Sequence, residues 1–242
     1  QLINMSAEGS DAYNTSRSQE LRVRDLIMDF GLQYTHPFSK TESVTLGLVF
    51  SPKKVLNADS YNYTETLTAN GYVDEIISSD TISGKEFGLP NKYGAGLSYV
   101  KQNKLTLAVD FSYEDWGKML YFGEKGNFRN RYRVAVGGEY IPDYMRKSYF
   151  NRIAYRAGIH YGNSYLRMNR TDVNPSGDGY NEIGVSVGLG LPLIDNRSLI
   201  NISFEYMRKK PETKVGMIDE QYFRFTVNYT FNELWFFKRK VD

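Results

Sequence analysis

The fold is decided by residues 87–116, which read FGLPNKYGAGLSYVKQNKLTLAVDFSYEDW. Large apolar residues alternate with small or polar ones over 105–113, and the same alternation runs through 93–99. Because successive side chains of a strand point to opposite faces, each run has one apolar face and one small or polar face. Only residues 102–103 separate the two runs, which predicts a tight antiparallel hairpin.

The alternation of this hairpin recurs along the chain and predicts nine strands. The small or polar faces are unusually rich in glycine, and they also carry ionised residues in mid-strand. The long polar connection 52–86 is expected to contain a separate ribbon of strands near residues 56–80. The nine predicted strands cover about residues 21–35, 41–51, 93–101, 104–116, 132–140, 153–161, 183–191, 200–206 and 223–231.

The predicted connections alternate between short and long. Outer-membrane barrels have short periplasmic turns on one rim and longer extracellular loops on the other. The sequence therefore predicts an all-β protein, an antiparallel transmembrane β-barrel in the bacterial outer membrane. An odd count of nine strands requires a hidden strand or a larger barrel of which these strands are one part. The predicted connections are 36–40, 102–103, 142–148 and 192–197 (short), and 52–86, 117–127, 165–179 and 208–219 (long).

A soluble β-sandwich is the competing interpretation, since it also alternates apolar and polar residues. Glycine weakens an exposed strand but suits a crowded concave interior, so the glycine-rich polar faces favour the barrel. The 20 Tyr, 14 Phe and 2 Trp, together 15% of the chain, suit aromatic girdles at the membrane interfaces. The mean hydropathy of −0.50 does not contradict a barrel, whose alternating strands average out.

Composition also excludes several kinds of site. The chain has no cysteine, so disulfides and thiolate metal ligands are ruled out, and a net charge of +2 gives no argument for nucleic acid. No cofactor or metal is predicted. The expected organisation is a polar loop or tail over 1–20, the barrel strands and loops over 21–233, and a C-terminal tail over 234–242.

The candidate site consists of charged residues predicted to face the barrel lumen. They could guide a ligand, but buried charges are normally paired, so mutual pairing across the interior is the favoured interpretation. These lumen-facing polar candidates are Asp110, Arg133, Glu139, Arg156, His160, Glu205 and Arg224.

His160 also allows an enzymatic interpretation. A catalytic histidine needs a nucleophile and an orienting group, and Ser164 is the local candidate for the nucleophile. Nothing in the sequence supplies the orienting group. We therefore expect no enzymatic activity and a histidine that bonds to its lumen neighbours.

Three segments together resemble the FadL-type family of outer-membrane transporters for long-chain fatty acids and other hydrophobic compounds. The first is residues 89–116, with LPNKYGAG, then KLTL, then DFSYEDW. The second is Tyr132–Pro142, similar to the family's Val-x-x-Gly-x-Glu-Tyr segment. The third is Tyr155–Tyr161, similar to its Arg-x-Gly-Tyr segment. The resemblance covers about residues 85–232 and implies a fourteen-stranded barrel with an N-terminal hatch, of which the nine predicted strands would be the last nine.

Three functions follow as hypotheses. The resemblance implies transport of a hydrophobic small molecule through the membrane lipid barrier. The second hypothesis is a FadL-like barrel that serves as a docking or structural subunit of a secretion or surface-anchoring complex, with a protein partner. The third is a lipid-modifying enzyme of the outer membrane. Transport is the leading hypothesis. Long apolar extracellular loops would support capture of a solute, and the mostly polar connection 52–86 keeps the docking hypothesis open.

Overall fold

A computed structural model describes residues 2–5, 14–68, 70, 72–120, 125–168, 179–193, 198–213 and 217–230. In these residues the protein is built almost wholly from antiparallel strands. The strands are β1 (Leu2–Met5), β2 (Asn14–Val23), β3 (Phe30–Pro37), β4 (Glu42–Ser51), β5 (Lys54–Leu67), β6 (Val73–Leu89), β7 (Lys92–Lys101), β8 (Leu105–Glu114), β9 (Arg131–Tyr140), β10 (Ala154–Asn163), β11 (Tyr180–Pro192), β12 (Leu199–Pro211) and β13 (Glu220–Thr230).

Nine strands form one large antiparallel sheet in the order β13-β12-β11-β10-β9-β8-β7-β4-β3. They are the nine strands predicted from the sequence, and the all-β antiparallel fold class is confirmed. Strand order follows chain order except where β5 and β6 are inserted between β4 and β7. Neither edge strand, β3 or β13, pairs with the other within the described residues, and a total of fourteen strands stays a prediction.

The central hairpin, β7 with β8, has the register expected from its alternation. Leu97 pairs with Val109 and Tyr99 with Leu107, so the large apolar residues share one face. The turn closes with a hydrogen bond from the Lys104 amide to the carbonyl oxygen of Lys101, at 3.0 Å. Asn103 takes φ 57°, in the left-handed region that asparagine tolerates better than most residues.

One face of the large sheet, here called the apolar face, leaves its large side chains exposed. Val187 is 53% exposed and Phe225 is 69% exposed. A contiguous apolar surface of this size is not tolerated in water but suits the hydrocarbon of a bilayer. The soluble sandwich is therefore wrong, because its apolar face would be covered. Other exposed members of the face are Leu32, Leu48, Leu97, Leu107, Val109, Val136, Ile159, Val185, Phe204 and Val227.

The inserted strands form a second, four-stranded sheet in the order β1-β2-β5-β6. The ribbon expected near residues 56–80 is thus present as β5 and β6. The polar loop predicted over 1–20 differs from the structure, since β1 and most of β2 lie there, and the first strand of the large sheet begins at Phe30 rather than near 21. Alternation could not reveal β2, because its sequence NTSRSQELRV is polar on both faces. The predicted tail over 234–242 lies outside the described residues.

Short helices are rare in this fold. A single 3-10 turn covers Trp116–Lys118, and α1 covers Tyr149–Arg152 within the connection between β9 and β10. Within the described ranges, no helix has the length and apolar character needed to cross a bilayer.

Placing a charge on the apolar face tests this assignment. Val187 lies near the middle of β11, so Val187→Arg is expected to lower the free energy of unfolding in lipid vesicles by about 2–4 kcal/mol. Denaturant titration of the vesicle-embedded protein measures the loss. The matched control is Ser186→Arg, on the neighbouring residue and the opposite face, which is expected to cost less than about 1 kcal/mol. Equal losses for the two variants would contradict the assignment.

Candidate functional site

The seven charged candidates all lie on the face of the large sheet opposite the apolar face, here called the polar face. The register places them there, because directly paired residues of neighbouring strands point to the same face. Glu139 pairs with Arg156 and Glu205 with Arg224, while Asp110 and His160 both pair with Ala135, two residues from Arg133. That this face lines a lumen stays a prediction.

Arg156 joins three strands across the polar face. Its Nε donates to Oε2 of Glu139 on β9 at 2.6 Å, and its Nη1 donates to Oδ1 of Asn201 on β12 at 2.6 Å. The second bond passes over β11, where Gly188 pairs with Arg156 and Gly190 pairs with Asn201. A Cβ at Gly190 would lie 3.2 Å from Nη2 of Arg156, so glycine leaves room for the crossing side chain.

A second ion pair joins the next two strands. Nη1 of Arg224 on β13 lies 3.2 Å from Oε2 of Glu205 on β12, and donates a hydrogen bond to it. Four of the seven candidates are therefore held in pairs, as the pairing interpretation expected. Paired charges of this kind fix neighbouring strands in register and keep the face hydrated.

His160 contacts an acid rather than a nucleophile. Its Nε2 lies 3.2 Å from Oε1 of Glu182, although the ring orientation gives no hydrogen bond there. The ring covers Gly184, where a Cβ would come within 2.2 Å of Cε1. Ser164 is four residues farther along, roughly 13 Å in an extended chain, and its Oγ accepts the amide of Leu166. This geometry therefore does not bring His160 and Ser164 together as a base and a nucleophile.

Asp110 and Arg133 occupy a shallow hollow of about 400 Å³ on the polar face. The floor is glycine, and a Cβ at Gly96 would lie 2.4 Å from Oδ1 of Asp110, so a larger residue there would displace this carboxylate. Neither charged residue takes part in an ion pair within the part of the chain that the structure describes. Lys92 and Ser112 complete the polar lining.

The sequence analysis missed a cluster of loop residues at the rim of the long connections. Trp116 stacks on Tyr165 with ring centroids 4.6 Å apart, and Phe128 packs against both rings. None of these three aromatic residues carried a signal for this cluster in the sequence. Contacts between two separate loops have no periodicity that a single sequence could display.

Arg129 ties these loops together. Its Nε donates to the carbonyl oxygen of Ser164 at 2.8 Å, its Nη2 to that of Tyr180 at 2.7 Å, and its Nη1 pairs with Glu212. Burial raises the pKa of Glu212, but the hydrogen bond and charge of Arg129, with the amide of Gly179, outweigh burial and lower this pKa below its ordinary value of 4.5.

The lowered pKa gives the loop cluster a pH dependence. A carboxylate with a depressed pKa in the folded state contributes stability above pH 4.5, and this contribution is lost as the pH falls through the lowered pKa. Glu212→Gln is expected to speed hydrogen exchange at the amides of Arg129 and Ser164 severalfold at pH 7. The difference from the unmodified protein should shrink below about pH 4. Asp143→Asn, at the opposite rim, is the control and should leave these amides unchanged.

Comparison with known proteins gives a family and one structural likeness. The family model BamG matches residues 2–242. No curated protein matches significantly. Among solved structures, the chain is similar to the "CymD monoaromatic hydrocarbon channel", with a TM-score of 0.48, 15% identity and coverage of 81% of this chain and 52% of that chain. The chain thus spans about half the length of that channel. Membership of the FadL-type family stays a prediction.

The BamG match extends through both sheets and nearly the whole chain. This protein therefore belongs to the BamG family and lies in the bacterial outer membrane.

Proposed function

We propose that this protein is a docking subunit of a Bam complex, held in the outer membrane by its large sheet and contacting a partner protein through its four-stranded sheet. The family name supports the choice of complex. The observation that carries the proposal is the four-stranded sheet itself, which extends from the long-connection rim where β4 passes into β5 and β6 passes into β7.

The base of this sheet is held by contacts between β5 and the segment that joins β2 to β3. Asp25, in that segment, accepts the amide of Asn57 at 3.0 Å and pairs with Lys54 at 2.9 Å. These bonds, together with the hydrogen bond that the Leu26 amide donates to the Asp25 carboxylate, lower the pKa of Asp25, so the carboxylate stays charged at neutral pH. The contacts order the base of the four-stranded sheet, here called the arm, which suits docking.

The outer end of this arm offers an edge for a partner. β6 is the last strand of the sheet, and its residues from 72 to 81 are exposed. The exposed side chains near the tip include Tyr72 (73% exposed), Val73, Ile76 and Ile77. An exposed strand edge with apolar side chains is a template for strand addition by another protein.

The polar face favours a structural role over passage of an apolar solute. The Arg156 and Arg224 ion pairs cross-link β9, β10, β12 and β13 through charged side chains. A route for an apolar compound needs apolar walls, and moving such a compound past these charges is unfavourable. The same geometry gives no nucleophile–base pair, and we propose a non-enzymatic role.

Transport of a hydrophobic small molecule remains a second candidate. The hollow of about 400 Å³ around Asp110, with its glycine floor, is the observation that supports it, because it leaves open space on the polar face. A co-purified apolar solute whose retention depends on Gly96 would favour transport over docking.

The docking proposal is tested on the tip of β6. The double variant Ile76→Lys/Ile77→Lys adds two charges to the exposed edge and is expected to reduce co-purification of Bam subunits from detergent-solubilised outer membranes at least tenfold. Quantitative mass spectrometry of the purified complex measures the stoichiometry. Phe38→Lys, an exposed apolar residue of a turn at the opposite rim, is the control and should retain the complex.

Two results would contradict docking. One is a purified protein that has no stoichiometric Bam partner. The other is a double variant that retains its partner while the arm is folded, as judged by unchanged circular dichroism.

A further inference from the structure

The apolar face contains an open groove, of about 630 Å³, that reaches the rim of the short connections. Its floor is the cross-strand pair of Gly138 and Ala157. These two residues are small, whereas the neighbouring residues on the apolar face carry large side chains. A Cβ at Gly138 would lie 2.8 Å from Cδ2 of Leu107, so glycine lets Leu107 lean across the floor. The walls include Leu105, Val136, Tyr140, Tyr155, Ile159, Val185 and Val187.

The connection 141–153, with sequence IPDYMRKSYFNRI, lies directly beside this groove. It joins Tyr140 to the strand that carries Tyr155, and both tyrosines line the groove. The Tyr155 hydroxyl donates to the carbonyl oxygen of Phe150 at 3.1 Å, which fixes the connection against the groove wall. Met145 is 85% exposed and Phe150 is 71% exposed, so apolar side chains of the connection extend outward as well.

The same connection is basic. It contains Arg146, Lys147 and Arg152 against one acid, Asp143, which pairs with Arg146 at 3.4 Å. The turns at 38–41 and 102–104, on the same rim, each carry a single lysine. A net positive charge among exposed apolar and aromatic side chains is the composition that binds anionic lipid at a membrane surface.

The groove and the connection together fit an amphiphile. The apolar groove matches an acyl chain, and the cationic connection beside it matches an anionic headgroup. Short connections of outer-membrane barrels face the periplasm, so the lipid available at this rim is the phospholipid of the inner leaflet.

We propose that this protein binds an anionic phospholipid on its outer wall. One acyl chain lies in the groove over Gly138 and Ala157, and the phosphate is held by Arg146 and Lys147 of the connection 141–153. This site is independent of the docking arm, which lies at the opposite rim.

The headgroup half of the site is tested with two variants of equal charge change. The protein, purified from outer membranes in mild detergent, is titrated with phosphatidylglycerol or phosphatidylethanolamine and examined by native mass spectrometry. Phosphatidylglycerol is expected to bind more tightly. Arg146→Ser/Lys147→Ser is expected to weaken its binding about 10- to 30-fold. Lys40→Ser/Lys53→Ser, which removes two charges from exposed positions away from the groove, should change it less than about threefold.

The acyl half of the site is tested by filling the groove. Ala157→Phe is expected to weaken binding of both lipids about fivefold or more, whereas Ala95→Phe, an equally small outward residue on β7, should have no effect. Heat-modifiable gel migration checks that every variant is folded. Equal lipid binding by all folded variants would overturn the proposal. So would an Ala157→Phe variant that keeps its phosphatidylglycerol but loses a protein partner, since the groove would then belong to that partner's membrane segment.

Discussion

The structure depends on the absence of water from the hydrocarbon layer. A backbone amide or carbonyl that has no partner there costs several kcal/mol, so each membrane strand must bond along its length to neighbouring strands. The antiparallel ladder from β3 to β13 meets this requirement for every strand but the two at its edges. Because the ladder provides hydrogen-bond partners for the backbone amides and carbonyls, the side chains determine which face of the sheet meets lipid.

The choice of face explains both the composition and the candidate site. The residues that meet lipid must be apolar, so the charged residues and most of the glycines lie on the other face, where ion pairs and close crossings become available. The four-stranded sheet has a more polar sequence, as expected of strands that do not face hydrocarbon. The two sheets therefore differ in composition, although both are antiparallel.

The same difference determines how much the sequence could predict. All nine membrane strands were predictable, because alternation such as that of residues 105–113 is imposed by lipid on one face. β2 was missed because a strand that carries mostly polar residues on both faces shows no alternation of apolar and polar residues. The alternation of apolar and polar residues was enough to place the charged residues on the polar face. It did not identify the residues with which they form ion pairs. Which acid meets Arg156 depends on register between strands, and the contacts of Arg129 depend on three loops that meet at one rim.

The glycines of β11 have a consequence for the mechanics of the wall. Because Gly188 and Gly190 have no side chains, Arg156 on β10 can bond directly to Asn201 on β12 across the intervening strand. The wall is thus cross-braced between strands that are not neighbours, and β11 cannot slide by a residue without bringing a bulky outward side chain under the brace. A sheet braced in this way resists shear along its strands.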